Sequence, residues 1–335
     1  MSSTTPIAAA GALPAAPARD TRATVPNIGR LALPLTLLGV VCAYFAIRSD
    51  NFATSTNVLN ILRASAILLV IALGATLVVV AGSVDLSVGA TAALAGTIVA
   101  SLAENGHTGL LWLVVPIGLA CGMLNGVLLA YVRLPSFLAT LGTLFVFNGL
   151  ALKITDGRVR SFRSDTLHSL TNDSSLGSIP NVVFWAIGAA LVVSLLAYRT
   201  MFGRHVYAIG GNERVAELAG LHVRRIKVAT FLISGLCAGV AGLLLVARGG
   251  GSSPGMGDPF LLNAIAAIVM GGTALSGGGG GPLRTVVGVL TITVAANGMT
   301  LTQVDPHYQT MVFGLIVLFA SVTTIRRSDF RAVVK

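Results

Sequence analysis

The chain has 335 residues, of which 54% are hydrophobic and only 10% charged, and its formal net charge is +10. Soluble domains carry about 25% charged residues, so this composition excludes a soluble globular protein and indicates a protein that lies in lipid. Residues 1–30 differ from the rest because they are rich in Ala, Pro, Ser and Thr and lack an apolar run. They are predicted to form a disordered cytoplasmic N-terminal tail.

Ten windows free of charged residues follow this tail, most of them near the ~20 residues that cross the hydrocarbon of a bilayer. The windows are 31–47, 64–84, 86–103, 105–132, 134–152, 174–198, 228–247, 259–283, 285–304 and 306–325. Lipid offers no partner to free backbone groups, so the windows predict an all-α integral membrane protein with about ten transmembrane helices. Some of these helices are expected to be broken or re-entrant. The predicted membrane domain covers 31–327, and 328–335 form a cytoplasmic C-terminal tail.

The distribution of basic residues predicts the orientation. Ten crossings place both termini on one side, and with the N-terminus inside, 15 of the 22 Lys and Arg fall on inner segments. This bias favours an N-in, C-in topology. It also explains the net charge without any nucleic-acid partner.

A first unusual segment, Gly82-Ser-Val-Asp-Leu-Ser-Val-Gly89, joins two apolar windows. Its acid, Asp85, is costly near a membrane unless it is paired or wet. The glycines and serines predict a broken helix, in which Asp85 acts in a pathway or gate, caps a helix at the interface, or does both. The pattern G-x-x-x-L-S-x-G returns at Gly271–Gly278, which indicates either a duplicated half or a chance match in a Gly-rich chain.

Neutral polar side chains lie within the apolar windows. Amides and hydroxyls suit a polyhydroxy substrate because they donate and accept hydrogen bonds without a fixed charge, although each one could instead serve a bond between helices. No window holds several acids or bases, which argues against an ion-coupled pump. The predicted pathway or gating residues are Asp85, Ser87, Asn125, Asn148, Asn263 and Asn297.

Two longer polar stretches, 153–181 and 199–227, are predicted loops on opposite sides of the membrane. The inner one carries charges and paired glycines, so we expect a soluble partner to push on it. We predict that basic residues on the outer side, Arg158, Arg160, Arg163 and Arg248, help to dock a second partner. No catalytic set, nucleotide-binding P-loop or metal-ligand spacing is recognised, so no enzyme and no metal site are predicted.

Five stretches together resemble one family. They are Gly82–Gly89, Arg133-Leu-Pro-Ser-Phe-Leu-Ala-Thr-Leu-Gly-Thr143, Phe202-Gly-Arg-His-Val-Tyr-Ala-Ile-Gly-Gly-Asn-Glu213, Ser234-Gly-Leu-Cys-Ala-Gly-Val-Ala-Gly242 and Ala264-Ile-Ala-Ala-Ile-Val-Met-Gly-Gly-Thr273. With them the chain resembles the permease subunits of ribose-type ABC sugar importers, in the branched-chain amino acid and sugar permease superfamily. The resemblance covers about 57–325. The chain departs from it at Arg284, where such permeases often carry Gly, and at Asn148, where Arg is frequent.

The resemblance implies a permease in the bacterial inner membrane that works by alternating access. It implies an ABC ATPase subunit, an extracellular or periplasmic sugar-binding protein and a second permease copy, identical or related, as partners within the lipid. ATP and Mg would be bound by the ATPase, and no cofactor by this chain. A short helix in the inner loop would dock on the ATPase, with Gly210 and Gly211 forming a turn and Ala216 and Ala219 a small face. The matching residues are Gly210, Gly211, Asn212, Glu213, Ala216, Ala219 and Gly220.

Three other interpretations are kept open. A stand-alone secondary transporter would need an ion gradient and an ionisable relay. A membrane enzyme would need a cluster of His, Asp or Glu near an interface. A permease of the same family could instead carry an amino acid or a nucleoside, and the sequence separates this possibility poorly.

Overall fold

A computed structural model describes residues 31–161, 164–175, 177–253 and 255–324. Both predicted tails, 1–30 and 328–335, lie outside these ranges. The described residues form thirteen α-helices, a 3-10 helix and two short strands. The helices are α1 Ala32–Arg48, α2 Ser55–Val80, α3 Val88–Glu104, α4 Val114–Ala130, α5 Ser136–Thr155, α6 Asp165–Thr171, α7 Asn181–Arg199, α8 Met201–Gly211, α9 Glu213–Leu218, α10 Val223–Gly249, α11 Asp258–Met270, α12 Pro282–Leu301 and α13 Pro306–Thr324. The 3-10 helix is Thr108–Leu113, and the strands are β1 Arg160–Ser161 and β2 Gly251–Ser252.

The all-α membrane fold is confirmed, and every charge-free window contains one apolar helix. Within the described ranges, six helical segments are long and apolar enough to cross a membrane: α2, the 3-10 helix with α4, α5, α7, α10 and α12. The apolar helices α1, α3 and α11 have 17, 17 and 13 residues. At 1.5 Å per residue, α11 is only about 20 Å long. The number of ten crossings therefore stays a prediction.

Helix α2 forms the centre of the molecule. It is apolar on all sides and almost wholly buried, which is typical of a helix surrounded by others. Its neighbours are α7, α10, α11 and α12. Helices α5 and α7 keep much of their apolar surface exposed instead. Those faces are suited to lipid or to another membrane-embedded chain.

The two ends of the bundle have different structures. At one end, called here the α8–α9 end, α7 stops at Arg199 and the predicted inner loop folds into α8 and α9. At the opposite end, the β1–β2 end, Arg160 of β1 pairs with Ser252 of β2 in a two-stranded antiparallel sheet. The predicted outer loop thus contains β1 and α6 rather than irregular chain alone.

Helices α4 and α10 approach each other closely along a row of glycines. A Cβ atom at Gly118 or Gly122 of α4 would overlap the backbone of α10 at Gly235 or Phe231. Close backbone contact of this kind is common in membrane helix pairs, where small residues allow van der Waals packing. These glycines therefore serve packing.

Two segments of the chain run in opposite directions, and each consists of a long helix, a non-helical break and a shorter helix. After α2 the chain passes through residues 82–87 and begins α3; after α10 it passes through 250–257 and begins α11. The starts of the two short helices meet inside the bundle, because the backbone of Gly257 contacts that of Gly89. Antiparallel units with broken helices are a recurrent plan in transporters.

The repeated glycine pattern has a local explanation. At the end of α2, the N–H groups of Gly82 and Ser83 donate to the carbonyls of Val79 and Val78, at 2.9 and 3.0 Å. The end of α11 is closed in the same way by the N–H groups of Gly272 and Thr273. Gly82 and Gly272 both have a positive φ, as this helix cap requires. The pattern therefore marks two equal helix ends, offset by one residue.

Candidate functional site

A buried polar network surrounds Asp85 in the break between α2 and α3. Asp85 is 4% exposed. Its Oδ1 accepts hydrogen bonds from the backbone N–H and the hydroxyl of Ser87, at 3.0 and 2.7 Å, and its Oδ2 accepts one from the hydroxyl of Ser234 on α10 at 2.8 Å. Hydrogen bonds to a charged acceptor are strong, and these three compensate in part for the burial of the carboxyl. The helix cap predicted for Asp85 is not observed, because Ser87 takes the N-cap position of α3.

The network continues from Ser87 to two further helices. The side-chain amide of Asn125 on α4 donates to the Ser87 hydroxyl at 2.7 Å, and the hydroxyl of Thr143 on α5 donates to the Asn125 carbonyl oxygen at 2.6 Å. All of these side chains are buried. The structure thus brings together three predicted pathway residues, Asp85, Ser87 and Asn125, and uses them to join α4, α5 and α10 at the break.

The other predicted pathway amides lie apart from this network. Asn148 of α5 donates from Nδ2 to Oδ1 of Asp258 at the start of α11, at 3.2 Å. Asn263, further along α11, is half-buried and makes no hydrogen bond within the described ranges. Asn297 of α12 exchanges two amide hydrogen bonds with Asn57 of α2, at 2.9 and 2.8 Å, which is the structural role left open for such amides.

The predicted coupling residues form a helix-turn-helix rather than a loop. Gly210 and Gly211 are the last residues of α8, so their predicted turn is wrong, and the chain turns at Asn212 instead. Asn212 caps α9, because its Oδ1 accepts a hydrogen bond from the N–H of Val215 at 3.1 Å. Gly220 has the left-handed conformation and follows the exposed Ala219.

The predicted small face of α9 is divided, because Ala216 is turned inward whereas Ala219, the residue after the helix, is exposed. Ala216 is buried against Ile209 of α8 and Val223 of α10, so it packs within this chain. The exposed surface of α9 combines two large apolar side chains, Val215 at 59% and Leu218 at 75% exposure, with the charged residues Glu213, Arg214 and Glu217. The sequence did not predict which residues of α9 are exposed, because this depends on the side of the helix that packs against α8 and α10.

Three backbone segments meet at the α8–α9 end without side chains between them. The end of α8 at Gly210 lies between the end of α2 and the loop that leads to α12. The Gly278 N–H donates to the Val80 carbonyl oxygen at 2.9 Å. A Cβ atom at Gly210 would overlap that same oxygen, and one at Gly277 would come within 2.7 Å of the Gly82 Cα. We call Val80, Gly82, Gly210, Gly277 and Gly278 the glycine junction.

A tyrosine pair holds α8 to the same loop. Tyr207 of α8 stacks on Tyr198 of α7, with ring centroids 6.5 Å apart, and its hydroxyl donates to the Gly280 carbonyl oxygen at 2.9 Å. Burial raises the pKa of Tyr207 above its ordinary value, with a further contribution from the neighbouring Tyr198. The hydroxyl therefore stays protonated and remains a hydrogen-bond donor at physiological pH.

The predicted docking arginines lie at the β1–β2 end, apart from Arg163, which is outside the described residues. Arg158 is exposed, and Arg160 forms an ion pair with Glu104 at 3.2 Å. Arg248 is exposed at the end of α10 and donates to the carbonyl oxygen of Arg63. Arg158 and Arg248 are thus accessible to a partner, whereas Arg160 also ties β1 to α3.

Comparison with known proteins identifies the family. The family model described as the permease component of branched-chain amino acid transport systems matches residues 57–321. The chain belongs to this permease family. It is therefore a multi-pass membrane protein of a transport system rather than an enzyme, and in bacteria such a protein lies in the inner membrane.

Curated relatives cover most of the permease. The ribose import permease protein RbsC of Bacillus subtilis is 36% identical over 298 residues, 88% of this chain and 92% of the relative. RbsC of Escherichia coli K12 is 33% identical, over 85% of this chain and 91% of the relative. The D-allose transport system permease protein AlsC of the same organism is 34% identical, over 85% and 88%. No solved structure matches the chain.

Proposed function

We propose that this permease is the membrane subunit of an ATP-binding-cassette importer for a monosaccharide of the ribose or allose kind. A binding protein delivers the sugar, and a separate ATPase subunit binds ATP and Mg. The relatives named above support the substrate class. The observation that carries the mechanical part is the glycine junction, where the segment expected to meet the ATPase touches the breaks of the membrane helices.

The path of force begins at α9. Its exposed residues Val215 and Leu218 are suited to an apolar groove on the ATPase, and its buried residue Ala216 packs on the rest of the chain. Movement of α9 displaces α8, because the two helices share the cluster around Ile209. At the glycine junction, α8 then pushes on the ends of α2 and of the α11–α12 loop through backbone atoms. Since backbone atoms cannot change rotamer, little of the movement is absorbed there.

The pathway itself would form between two permease copies. Helix α5 supports this arrangement because its exposed face is long and apolar, and the break centred on Asp85 lies directly behind it. Displacement of α2 changes the position of residues 82–87, and the hydrogen-bond network carries this change to α4, α5 and α10. In this proposal Asp85, Ser87 and Asn125 control the shape of the pathway from behind rather than contact the sugar.

Arg158, Arg160, Arg163 and Arg248 are proposed to dock the binding protein. Charge reversal at the exposed Arg158 and Arg248 should weaken stimulation of ATP hydrolysis by the binding protein. Reversal at Arg160 should also loosen β1, because it removes the ion pair with Glu104. Unchanged stimulation in the Arg158 and Arg248 variants would contradict the docking role.

One alternative is supported by the family itself, whose description refers to branched-chain amino acid transport. A permease for an amino acid or a nucleoside could use the same coupling segment, since solute choice can reside in the binding protein. The two proposals differ in the ligand that the binding protein carries into the complex.

The test is transport by the reconstituted complex. The permease, its ATPase and its binding protein are placed in liposomes, and uptake of labelled ribose, allose and leucine is measured with ATP and with a non-hydrolysable analogue. We expect uptake of ribose or allose that requires ATP, the ATPase and the binding protein. Uptake by the permease alone under an ion gradient, or ATP-driven uptake of leucine only, would contradict the proposal.

A further inference from the structure

An acidic side chain lies at membrane depth and is exposed there. Asp258 begins α11, and its Oδ1 accepts the hydrogen bond from Asn148. Asn148 is seven residues from the end of α5 at Thr155, so about 10 Å of helix separate it from that end. Gly257, the neighbour of Asp258, contacts Gly89, the second residue of α3. The other end of α3, at Glu104, is about 22 Å further along that helix.

An exposed carboxylate at this depth cannot face hydrocarbon, because an ionisable group in a membrane must be paired or face water. Asp258 forms no ion pair in the described part of the chain. The lipid-compatible surfaces of the same protein have a different composition: on α7 the exposed residues Leu191, Val192 and Leu195 are all apolar. The side of the molecule where α11 begins therefore faces a wet passage.

The hydrogen-bonding capacity of this place is only partly used. The Oδ1 of Asn148 is buried and has no hydrogen-bond partner among the described residues. Asn263, five residues along α11, likewise leaves its amide free within the described ranges. A buried polar atom without a partner is rare in native proteins and indicates a missing water or ligand. Free acceptors and donors on one carboxylate and two amides match the alternating donors and acceptors of a polyol.

We propose that Asp258 and Asn148, with Asn263 deeper along α11, form a solute-contacting station for a polyhydroxy solute between α5 and α11. Asp258 accepts hydrogen bonds from hydroxyl groups, and Asn148 and Asn263 supply a mixed set of donors and acceptors. The station rests on the proposed function, since it needs a solute that passes along this face. It assigns part of the solute selectivity to the permease itself.

Accessibility tests whether this face is wet. Asp258→Cys and, as the lipid-facing control, Leu191→Cys are introduced singly, and the complete importer in nanodiscs is treated with a membrane-impermeant maleimide. Labelling of the wild-type protein measures the background from its native cysteines, of which Cys121 and Cys237 are buried and Cys42 is half-buried. We expect labelling of Asp258→Cys, a several-fold slower reaction when binding protein loaded with ribose or allose is added, and no labelling of Leu191→Cys. Absence of labelling at position 258 with and without ATP would overturn the proposal.

Selectivity tests the contact with solute. Asp258→Asn, Asp258→Ser and Asn148→Ala are compared with Asp50→Asn, an acid in the loop after α1, for uptake of ribose and 2-deoxyribose. Losing a hydrogen bond to a charged group changes transport by about tenfold. We therefore expect about tenfold slower uptake and a changed ratio of the two sugars, while ATP hydrolysis stimulated by the binding protein is retained. Unchanged rates and ratios in both Asp258 variants would reject the station.

The two proposals fail in different ways. If the wild-type complex imports neither ribose nor allose, the sugar assignment fails, and labelling at position 258 still decides whether the face is wet. If the wild type imports sugar and the variants behave as the wild type does, only the station fails. Stimulated ATP hydrolysis and elution as an intact complex separate a loss of contact from a loss of folding.

Discussion

The Lys227 ammonium lies 2.6 Å from the Glu213 carboxylate and so ties the first residue of α9 to α10. The two partners differ in their surroundings: the lysine side chain is 11% exposed and the glutamate side chain 55% exposed. The lysine is the partner that depends on the pair, because its charge has little access to water.

This asymmetry predicts unequal effects of the two substitutions. Glu213→Gln leaves the buried ammonium of Lys227 without its counter-charge, whereas Lys227→Met leaves a glutamate that water can solvate. We expect Glu213→Gln to lower the thermal unfolding midpoint of the purified permease more than Lys227→Met does. The control is Glu217→Gln, whose partner Arg214 is 80% exposed, and for which almost no change is expected. Equal midpoints for the first two variants would contradict this account of α9.

Gly210 and Gly211 provide a matched pair for the glycine junction. Both end α8, but a Cβ at Gly210 would overlap the Val80 carbonyl oxygen, whereas one at Gly211 meets nothing within 4 Å. We expect Gly210→Ala to reduce ATP-driven transport at least tenfold and Gly211→Ala to leave it within about twofold. The ratio of solute imported to ATP hydrolysed measures the loss. If both alanine variants transport at the same rate, α8 does not transmit its movement to α2 through this contact.

Removing one donor from Asp85 tests the buried network. Ser234→Ala deletes one of the three hydrogen bonds to the carboxyl, and a lost buried hydrogen bond costs about 1–3 kcal/mol. We expect a lower unfolding midpoint together with slower transport. Ser65→Ala is the control, because its hydroxyl is also buried but bonds only the Leu62 carbonyl of its own helix. A network without functional importance would give the same small effect in both variants.

The Tyr207 hydroxyl is predicted to matter for coupling rather than for folding. Tyr207→Phe keeps the stack on Tyr198 and removes the hydrogen bond to the Gly280 carbonyl oxygen. We expect a free energy of unfolding within about 1 kcal/mol of the wild-type value and a lower ratio of transport to ATP hydrolysis. Tyr131→Phe serves as the control, since Tyr131 is 54% exposed at the end of α4. A wild-type ratio of transport to ATP hydrolysis in Tyr207→Phe would show that the loop before α12 moves without the hydrogen bond from Tyr207.

The sequence predicted the positions of the apolar helices well, because hydropathy alone decides which segments can lie in lipid. It also located the break at Gly82–Gly89, since glycines and an acid stand out in an apolar chain. It could not pair Asp85 with Ser234, because they are 149 residues apart and many serines could serve equally. It could not show how deep in the bundle Asp258 lies, because a short helix that begins inside the bundle has the same composition as one that begins at the surface.

The coupling segment shows the same limit in a different way. Composition and resemblance indicated which residues were expected in it, and in the structure Asn212 caps α9 and Glu213 pairs with Lys227. The orientation of α9 depends on its packing against α8 and α10, so the small residue that was expected to face a partner is buried instead. The importance of Gly277 and Gly278 emerges only from their distance to Gly82 and Gly210, which no local pattern records.

The hydrogen bond from Gly278 to Val80 has a consequence for the timing of the transport cycle. It links the end of the central helix to the loop before α12 at the same point that α8 touches. A single displacement of α8 therefore reaches both segments simultaneously. The importer is expected to switch in one concerted step, so that fluorescent reporters on the two segments would relax with one common rate constant.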